Sequence, residues 1–181
     1  MLAWMDLEMT GLDPSKDTIV EMATIITDDE LNIIAEGPDI IIAASQDFLD
    51  SMDDYVKSMH TKSGLLKQIE VSEITLKEAT ARTLSFLREH LEPGTTPLAG
   101  NSIAMDRKFL AAHAVELEDF FHYRSVDVSA VKELCRRWYP KAFESVPKKF
   151  NAHRALDDIK ESIVELKYYK NTIFKNVDEI S

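Results

Sequence analysis

The chain has 181 residues, enough for one well-cored domain and short for two. Its hydrophobic share of 45% is that of a globular protein, and no apolar run approaches the roughly 18 residues a membrane-spanning helix needs. The 21 basic and 32 acidic residues leave a net charge of −11, which argues against a basic stripe gripping long nucleic acid. A nucleic-acid partner would have to be short and held through metal ions. The single cysteine, Cys135, can form no internal disulfide and excludes a thiolate metal site, which fits a reducing interior compartment. Met1-Leu2-Ala3-Trp4 is not a basic region leading into a long apolar stretch, so no secretory signal is expected. The expected location is cytoplasmic, or mitochondrial if a targeting segment has been removed.

Taken in chain order, residues 2–8 predict a buried strand closed by the Thr10-Gly11 turn. Residues 18–27 and 32–43 are β-branched and apolar, the latter interrupted at Gly37-Pro38, and predict two further antiparallel strands of a meander. Short helical pieces are expected over 47–69, broken near 60–64. Helical spacing is clear over 75–90, ended by Pro93-Gly94. A strand over 96–99, a helix over 105–113, a strand over 125–128 and a helix over 129–138 follow. Residues 140–152 read as a loop, and 155–170 as the last long helix. The expected organisation is one domain over 1–171 with a polar tail over 172–181. The fold class is α/β, a mixed β-sheet flanked by helices.

The chemistry sits in carboxylates at unusual places. Asp6 and Glu8 lie two apart in an apolar strand, so both project from one face. Two like charges there repel each other and resist burial unless a cation binds them. Taken alone, the pair also fits two solvated acids at a strand end. Asp106 follows Gly100-Asn101-Ser102 at the start of a predicted helix, a position the helix dipole favours for any acid. In His153-Arg154-Ala155-Leu156-Asp157-Asp158, the histidine closes a loop and Asp158 lies one turn into a helix. Residues five apart in a regular helix diverge by about 140°, so only a His153 placed before the helix can share a site with Asp158.

Together the four acids and one histidine suit a two-metal hydrolase. Mg2+ prefers carboxylates and keeps positions open for water and phosphate oxygens. Two such ions about 4 Å apart can activate a water and stabilise the leaving oxygen of a phosphodiester displacement. Asp6 would bridge the two ions, with Glu8, Asp106 and Asp158 completing their shells. His153 would take the proton of the attacking water, since histidine titrates near neutral pH.

These residues resemble a known family. Asp6-Leu7-Glu8-Met9-Thr10-Gly11-Leu12, Gly100-Asn101-Ser102 through Asp106, and His153-x-Ala155-x-x-Asp158 are similar to the three exonuclease motifs of the DEDDh superfamily. Its sister class carries a tyrosine four residues before the last acid, where this chain has Arg154; by motif Asp158 is the ligand and Asp157 a bystander. Phe121-His122-Tyr123-Arg124, Asp127-Val128-Ser129 and Lys132-Glu133-Leu134 extend the likeness to the oligoribonucleases, over nearly the whole chain.

The resemblance implies an RNase H-like fold, a homodimer, dependence on two Mg2+ or Mn2+ ions, and release of 5′-mononucleotides from short RNA. It also implies that Leu12 wedges against bases, that Tyr55 and His60 contact the 3′ nucleotide, and that Ser102, Arg124 and Ser129 cap the 5′ phosphate. Tyr123 would come from the other subunit. The family usually has tryptophan where this chain has Tyr55, a smaller stacking surface. Net acidity would then disfavour long RNA. The alternative is a related exonuclease acting on longer RNA or DNA 3′ ends.

Overall fold

The computed structural model describes residues 1–148 and 153–175. The chain opens as a meander of β1 (Leu2–Met9), β2 (Ile19–Thr27) and β3 (Ile33–Ile41). Three short helices, α1 (Gln46–Ser51), α2 (Asp54–Lys62) and α3 (Leu65–Val71), precede the longer α4 (Leu76–His90). Strands and helices then alternate: β4 (Pro97–Gly100), α5 (Ala104–His113), α6 (Val115–Glu118), β5 (His122–Asp127), α7 (Val128–Trp138), α8 (Pro140–Glu144) and α9 (Ala155–Thr172).

One five-stranded mixed sheet results, in the order β3-β2-β1-β4-β5. The meander pairs antiparallel, whereas β4 runs parallel to both β1 and β5. The carboxyl ends of β1, β4 and β5 therefore lie along one edge, where open α/β sheets place their ligands.

Among the described residues, strand alternation separates the two largest of three core clusters, the third lying under the short helices α1 to α3. Ala3, Met5 and Leu7 of β1, with Met22 and Ile26 of β2, join Leu84, Leu87, Phe109 and Leu110 of α4 and α5. On the opposite face Trp4, Ala23 and Ile25 meet Ile159, Ile163 and Tyr169 of α9. Trp4 is fully buried, and its indole N–H donates to Thr27 Oγ1 at 3.0 Å, so no donor is left without a partner. Each such large side chain contributes about 1.5–3 kcal/mol by leaving water. Because β1 is covered on both faces it reads as an apolar run. Asp6 and Glu8 continue the Trp4 row, on the face that α9 covers.

Gly100 ends β4 where there is no room for a side chain. A Cβ there would lie 2.4 Å from Ile103 Cγ2 and 3.0 Å from the Met5 carbonyl oxygen. Gly100→Ala is expected to destabilise the fold by about 1–3 kcal/mol through overpacking. A urea titration yielding an unchanged midpoint would contradict this.

Several expectations need correction. The 140–152 stretch is not all loop: Pro140 starts α8, at the helix position where its missing N–H costs nothing. Residues 149–152 of that stretch, with Lys149 of its Lys148-Lys149 pair, and 176–181 of the expected tail lie outside the described residues. Residues 172–175 begin inside the end of α9. Gly37-Pro38 does not interrupt β3; the pairing shifts register opposite it, between Ala23 and Ile25, on an edge strand that tolerates proline. The break expected near 60–64 is present at Ser63-Gly64, where Gly64 takes φ 78°, with His60 still inside α2; a further break, between Ser51 and Asp54, separates α1 from α2. The four-residue α6 has no counterpart among the predicted elements.

Candidate active site

β1 carries the first two acids to the carboxyl end of the parallel strands. The turn after β4 passes through Ser102 at φ 62° and starts α5, whose first turn brings in Asp106. Asp106 Oδ1 accepts from the Leu7 backbone N–H at 3.1 Å, a contact spanning 99 residues that fixes α5 against β1 between Asp6 and Glu8. From the opposite face α9 contributes Asp158 in its first turn. His153 precedes that helix at φ 51°, a left-handed conformation that is uncommon outside glycine. One ligand-type atom each of Glu8, His153 and Asp158 lies within 4.8 Å of the others. His153 thus shares a site with Asp158, and Asp157 points to solvent.

Asp6, Glu8, Asp106 and Asp158 line one open cleft of about 360 Å³. Their crowding is costly. Burial first, then the charges of Asp106, Glu8, Asp158 and Glu21, push Asp6 well above the usual carboxylate range. Glu8 is pushed up to about 8 by burial and by Asp158, Glu21 and Asp106, with Arg154 opposing. Burial raises Asp106 to about 7, with Asp127 adding to the rise and the Leu7 hydrogen bond working against it. Crowded carboxylates, hard oxygen donors that resist burial as charges, make a donor set that suits divalent metal ions, with the His153 imidazole beside it.

The remaining site residues of the sequence reading fall into three groups. Leu12 and Tyr55 line the cleft and are 71% and 73% exposed. Tyr55 stands at the start of α2, which Asp53 caps through Val56 N at 2.8 Å. The turn bearing Leu12 is tied down by Asp17, which accepts from Thr10 Oγ1 at 3.1 Å and Asp13 N at 2.9 Å. His113 of α5 adds a contact to the Pro14 carbonyl at 2.9 Å.

His60 is fully buried rather than on the cleft surface. Its Nε2 lies 2.8 Å from the Met9 carbonyl, and its Nδ1 is 3.9 Å from Glu8, too far for a hydrogen bond. Burial holds the ring below its ordinary value, against the Met9 bond, so the contact with Glu8 is not an ion pair at neutral pH.

Ser102 lines the cleft, whereas Tyr123, Arg124 and Ser129 do not. Ser102 and Ser129 are nevertheless gathered by a single atom. Asp127 Oδ1 accepts from Ser102 N at 2.9 Å, Ser129 N at 2.8 Å and Ser129 Oγ at 2.7 Å. The Arg124 guanidinium sits 5.5 Å from the centre of the Tyr123 ring, and Tyr123 is 75% exposed.

Sequence reasoning missed two residues that hold the site. Asp127 caps α7 and joins it to the turn after β4; an aspartate just before a helix is its signal. Glu21 is fully buried in β2, opposite Glu8, and accepts from Arg154 Nε at 2.9 Å and Ala155 N at 3.2 Å. A lone acid in an otherwise buried strand was its signal.

Fold and site define an exonuclease: a family model described as Exonuclease (RNase_T) matches residues 3–166. The chain is 56% identical to the mitochondrial oligoribonuclease of Mus musculus over 174 residues, 96% of this chain and 73% of that one. It is 51% identical to the oligoribonuclease of Shewanella loihica over 174 residues, 96% of each chain. The chain belongs to this exonuclease family, among its oligoribonucleases. Among solved structures, the zinc-bound E. coli ExoI–ssDNA complex superposes with TM-score 0.69 at 18% identity, over 95% of this chain and 40% of that one. An Exonuclease I from Methylocaldum szegediense gives 0.65 at 21%, again over 95% and 40%. The chain thus spans about 40% of the length of those two proteins, and they show the fold alone. Membership makes the chain a phosphodiester hydrolase that works with divalent metal ions. Among the described residues, no helix is long and apolar enough to cross a membrane.

Proposed function

We propose that this exonuclease removes 5′-mononucleotides from the 3′ end of very short RNA, dinucleotides above all, using two Mg2+ or Mn2+ ions. The observation that carries the reading is the convergence of four carboxylates and His153 at the carboxyl ends of the parallel strands, in a chain of oligoribonuclease sequence. Asp6, Glu8, Asp106 and Asp158 would hold the ions. Bound there, the ions would supply activation of the attacking water and stabilisation of the leaving oxygen.

The chain's own groups do the rest. His153 takes a proton from the attacking water. Leu12 wedges against the bases, Tyr55 stacks on the 3′ nucleotide from the cleft rim, and His60 holds the Met9 carbonyl beneath it. Ser102 offers its hydroxyl, Ser129 its own on giving up the bond to Asp127 Oδ1, and Arg124 a forked donor, to the 5′ phosphate. The partner subunit's Tyr123 would close that end in a homodimer, so that activity requires dimerisation.

A closed 5′ end explains a preference for minimal substrates, and the net charge of −11 works against longer RNA. The cytosol, where the lone cysteine stays reduced, is the compartment we favour; the mitochondrial relatives make the mitochondrion its alternative.

The test is cleavage of 5′-phosphorylated RNA of two, five and 20 nucleotides with Mn2+, assayed across a gel-filtration profile. The dimer fraction should consume the dinucleotide at least tenfold faster than the 20-mer, a difference of about 1.4 kcal/mol in the barrier. Equal rates on the 20-mer or on DNA would favour an exonuclease of longer 3′ ends. An active monomer would remove Tyr123 from the site.

A further inference from the structure

We propose that Glu21 is a positioning residue for the reaction: it locks the junction between His153 and α9, so that His153 stays facing Glu8 and Asp158. This inference rests on the catalytic reading of His153 given above.

Glu21 lies at the third position of β2, a strand whose nine residues are all buried. In the register of the sheet it stands directly opposite Glu8, so its side chain emerges on the face shared by Asp6, Glu8 and α9. A carboxylate there, facing two others, is unfavourable unless it is paired. Its pairing is specific. Glu21 Oε1 accepts from Arg154 Nε at 2.9 Å and lies 2.8 Å from a terminal guanidinium nitrogen, while Oε2 accepts from Ala155 N at 3.2 Å.

One carboxylate therefore does two things at a point more than 130 residues away in the chain. It binds the guanidinium in a fork, and it caps α9, whose own N-cap residue Arg154 makes no side-chain cap. Asp39 and Asp157 also act on Arg154 electrostatically, but Glu21 is the carboxylate at hydrogen-bond distance among the described residues.

The lock falls between the two halves of the motif. His153 is the residue before Arg154, held at φ 51°, and Asp158 follows one turn later. A non-glycine residue persists in that conformation when its surroundings over-determine it. Of the junction's contacts, those of Glu21 run to the residues immediately after His153. Neutralising Glu21 without changing its shape weakens the charge-assisted pair and removes an anion from the helix N-terminus. The imidazole is then free to leave its productive orientation, and small misplacements of a catalytic group cost large factors in rate.

The experiment compares the unaltered chain, Glu21→Gln, His153→Ala and the double variant on a 5′-phosphorylated dinucleotide with saturating Mn2+, alongside thermal melts. Glu21→Gln is expected to lower kcat by roughly 10- to 100-fold, with KM within about twofold and the Mn2+-induced rise in Tm retained. In the His153→Ala background the same substitution should cost less than about twofold, because its effect passes through His153. A merely structural Glu21 would lower Tm and leave kcat alone, or would cost the same factor in both backgrounds; either result overturns the inference. Full activity in His153→Ala would overturn the catalytic reading and this inference together, whereas an inactive His153→Ala beside an unchanged Glu21→Gln overturns this inference alone. If Glu21→Gln does not fold, Arg154→Lys carries the same expectation, since it keeps the buried charge paired and loses the fork.

Discussion

His153→Ala is expected to lower turnover of a 5′-phosphorylated dinucleotide by about 10²- to 10⁴-fold, the usual contribution of a positioned general base. Three observations make this variant sharper than any change at the acids. His153 is the histidine whose ring joins Glu8 and Asp158 within 4.8 Å. It stands just outside α9, and no helix is disturbed by its truncation. It is also held in a left-handed backbone conformation, a cost that is tolerated at functional sites. The melting temperature and the gain in Tm with Mn2+ should stay near those of the unaltered chain, because the four acids remain. Asp158→Asn should differ by losing both turnover and that gain. Steady-state release of 5′-mononucleotide, read beside thermal melts with and without Mn2+, separates the outcomes. If His153→Ala also loses the Mn2+ effect, the imidazole is a metal ligand. A loss of less than about threefold would remove the general base from His153 altogether.

How much of this was legible from the residues follows from the range of each interaction. β1, β2, α4 and α9 were readable because their apolar spacing is local and long. The Asp6–Glu8 pair and the His153-to-Asp158 interval were readable because strand and helix periods alone decide which side chains share a face. Glu21 was not singled out, because its meaning lies in Arg154 and Ala155, more than 130 residues on, and strand propensity says nothing about them. His60 lies inside α2, under Met9 and away from the cleft surface, since burial depth is a tertiary property. The bulge opposite Gly37-Pro38 and the single turns α6 and α8 escaped for the opposite reason: their local signals are a few residues long. Asp127 shows the mixed case, a readable helix cap that also gathers Ser102 from another element.

The metal-free protein is expected to lose stability as pH rises from 6.5 to 8, and Mn2+ to abolish that loss. Burial and neighbouring acids raise Glu8 to about 8, Asp106 to about 7 and Asp6 well above the carboxylate range. For a carboxyl raised on folding, the native state holds protons that the unfolded chain has already lost. Unfolding free energy then falls with pH, by about 1.4 kcal/mol per pH unit for each proton so held. The groups that work in the other direction act elsewhere. Asp13, with its hydrogen bonds from Ser15, and Glu133, with Arg136 and Arg137, are both lowered to about 2 and matter only in acid. Buried His60, lowered on folding, adds stability with rising pH only until the unfolded imidazole has titrated near 6.5. From pH 6.5 to 8 the cleft acids therefore dominate: Glu8 and Asp106 together account for on the order of 2 kcal/mol, or about 5 °C in Tm for a domain of this size, and Asp6 acts in the same direction. A bound cation reverses the sign of the field at each carboxylate, so saturating Mn2+ should flatten the profile and raise it most at pH 8. Asp6→Asn removes the most crowded charge, and should make the metal-free chain more stable at pH 8 while abolishing the Mn2+ gain and turnover together. Thermal melts in chelator and in Mn2+ at four pH values decide it: a flat metal-free profile, or an Asp6→Asn chain less stable than its parent at pH 8, would mean that the cleft holds no strained charge for a metal to relieve.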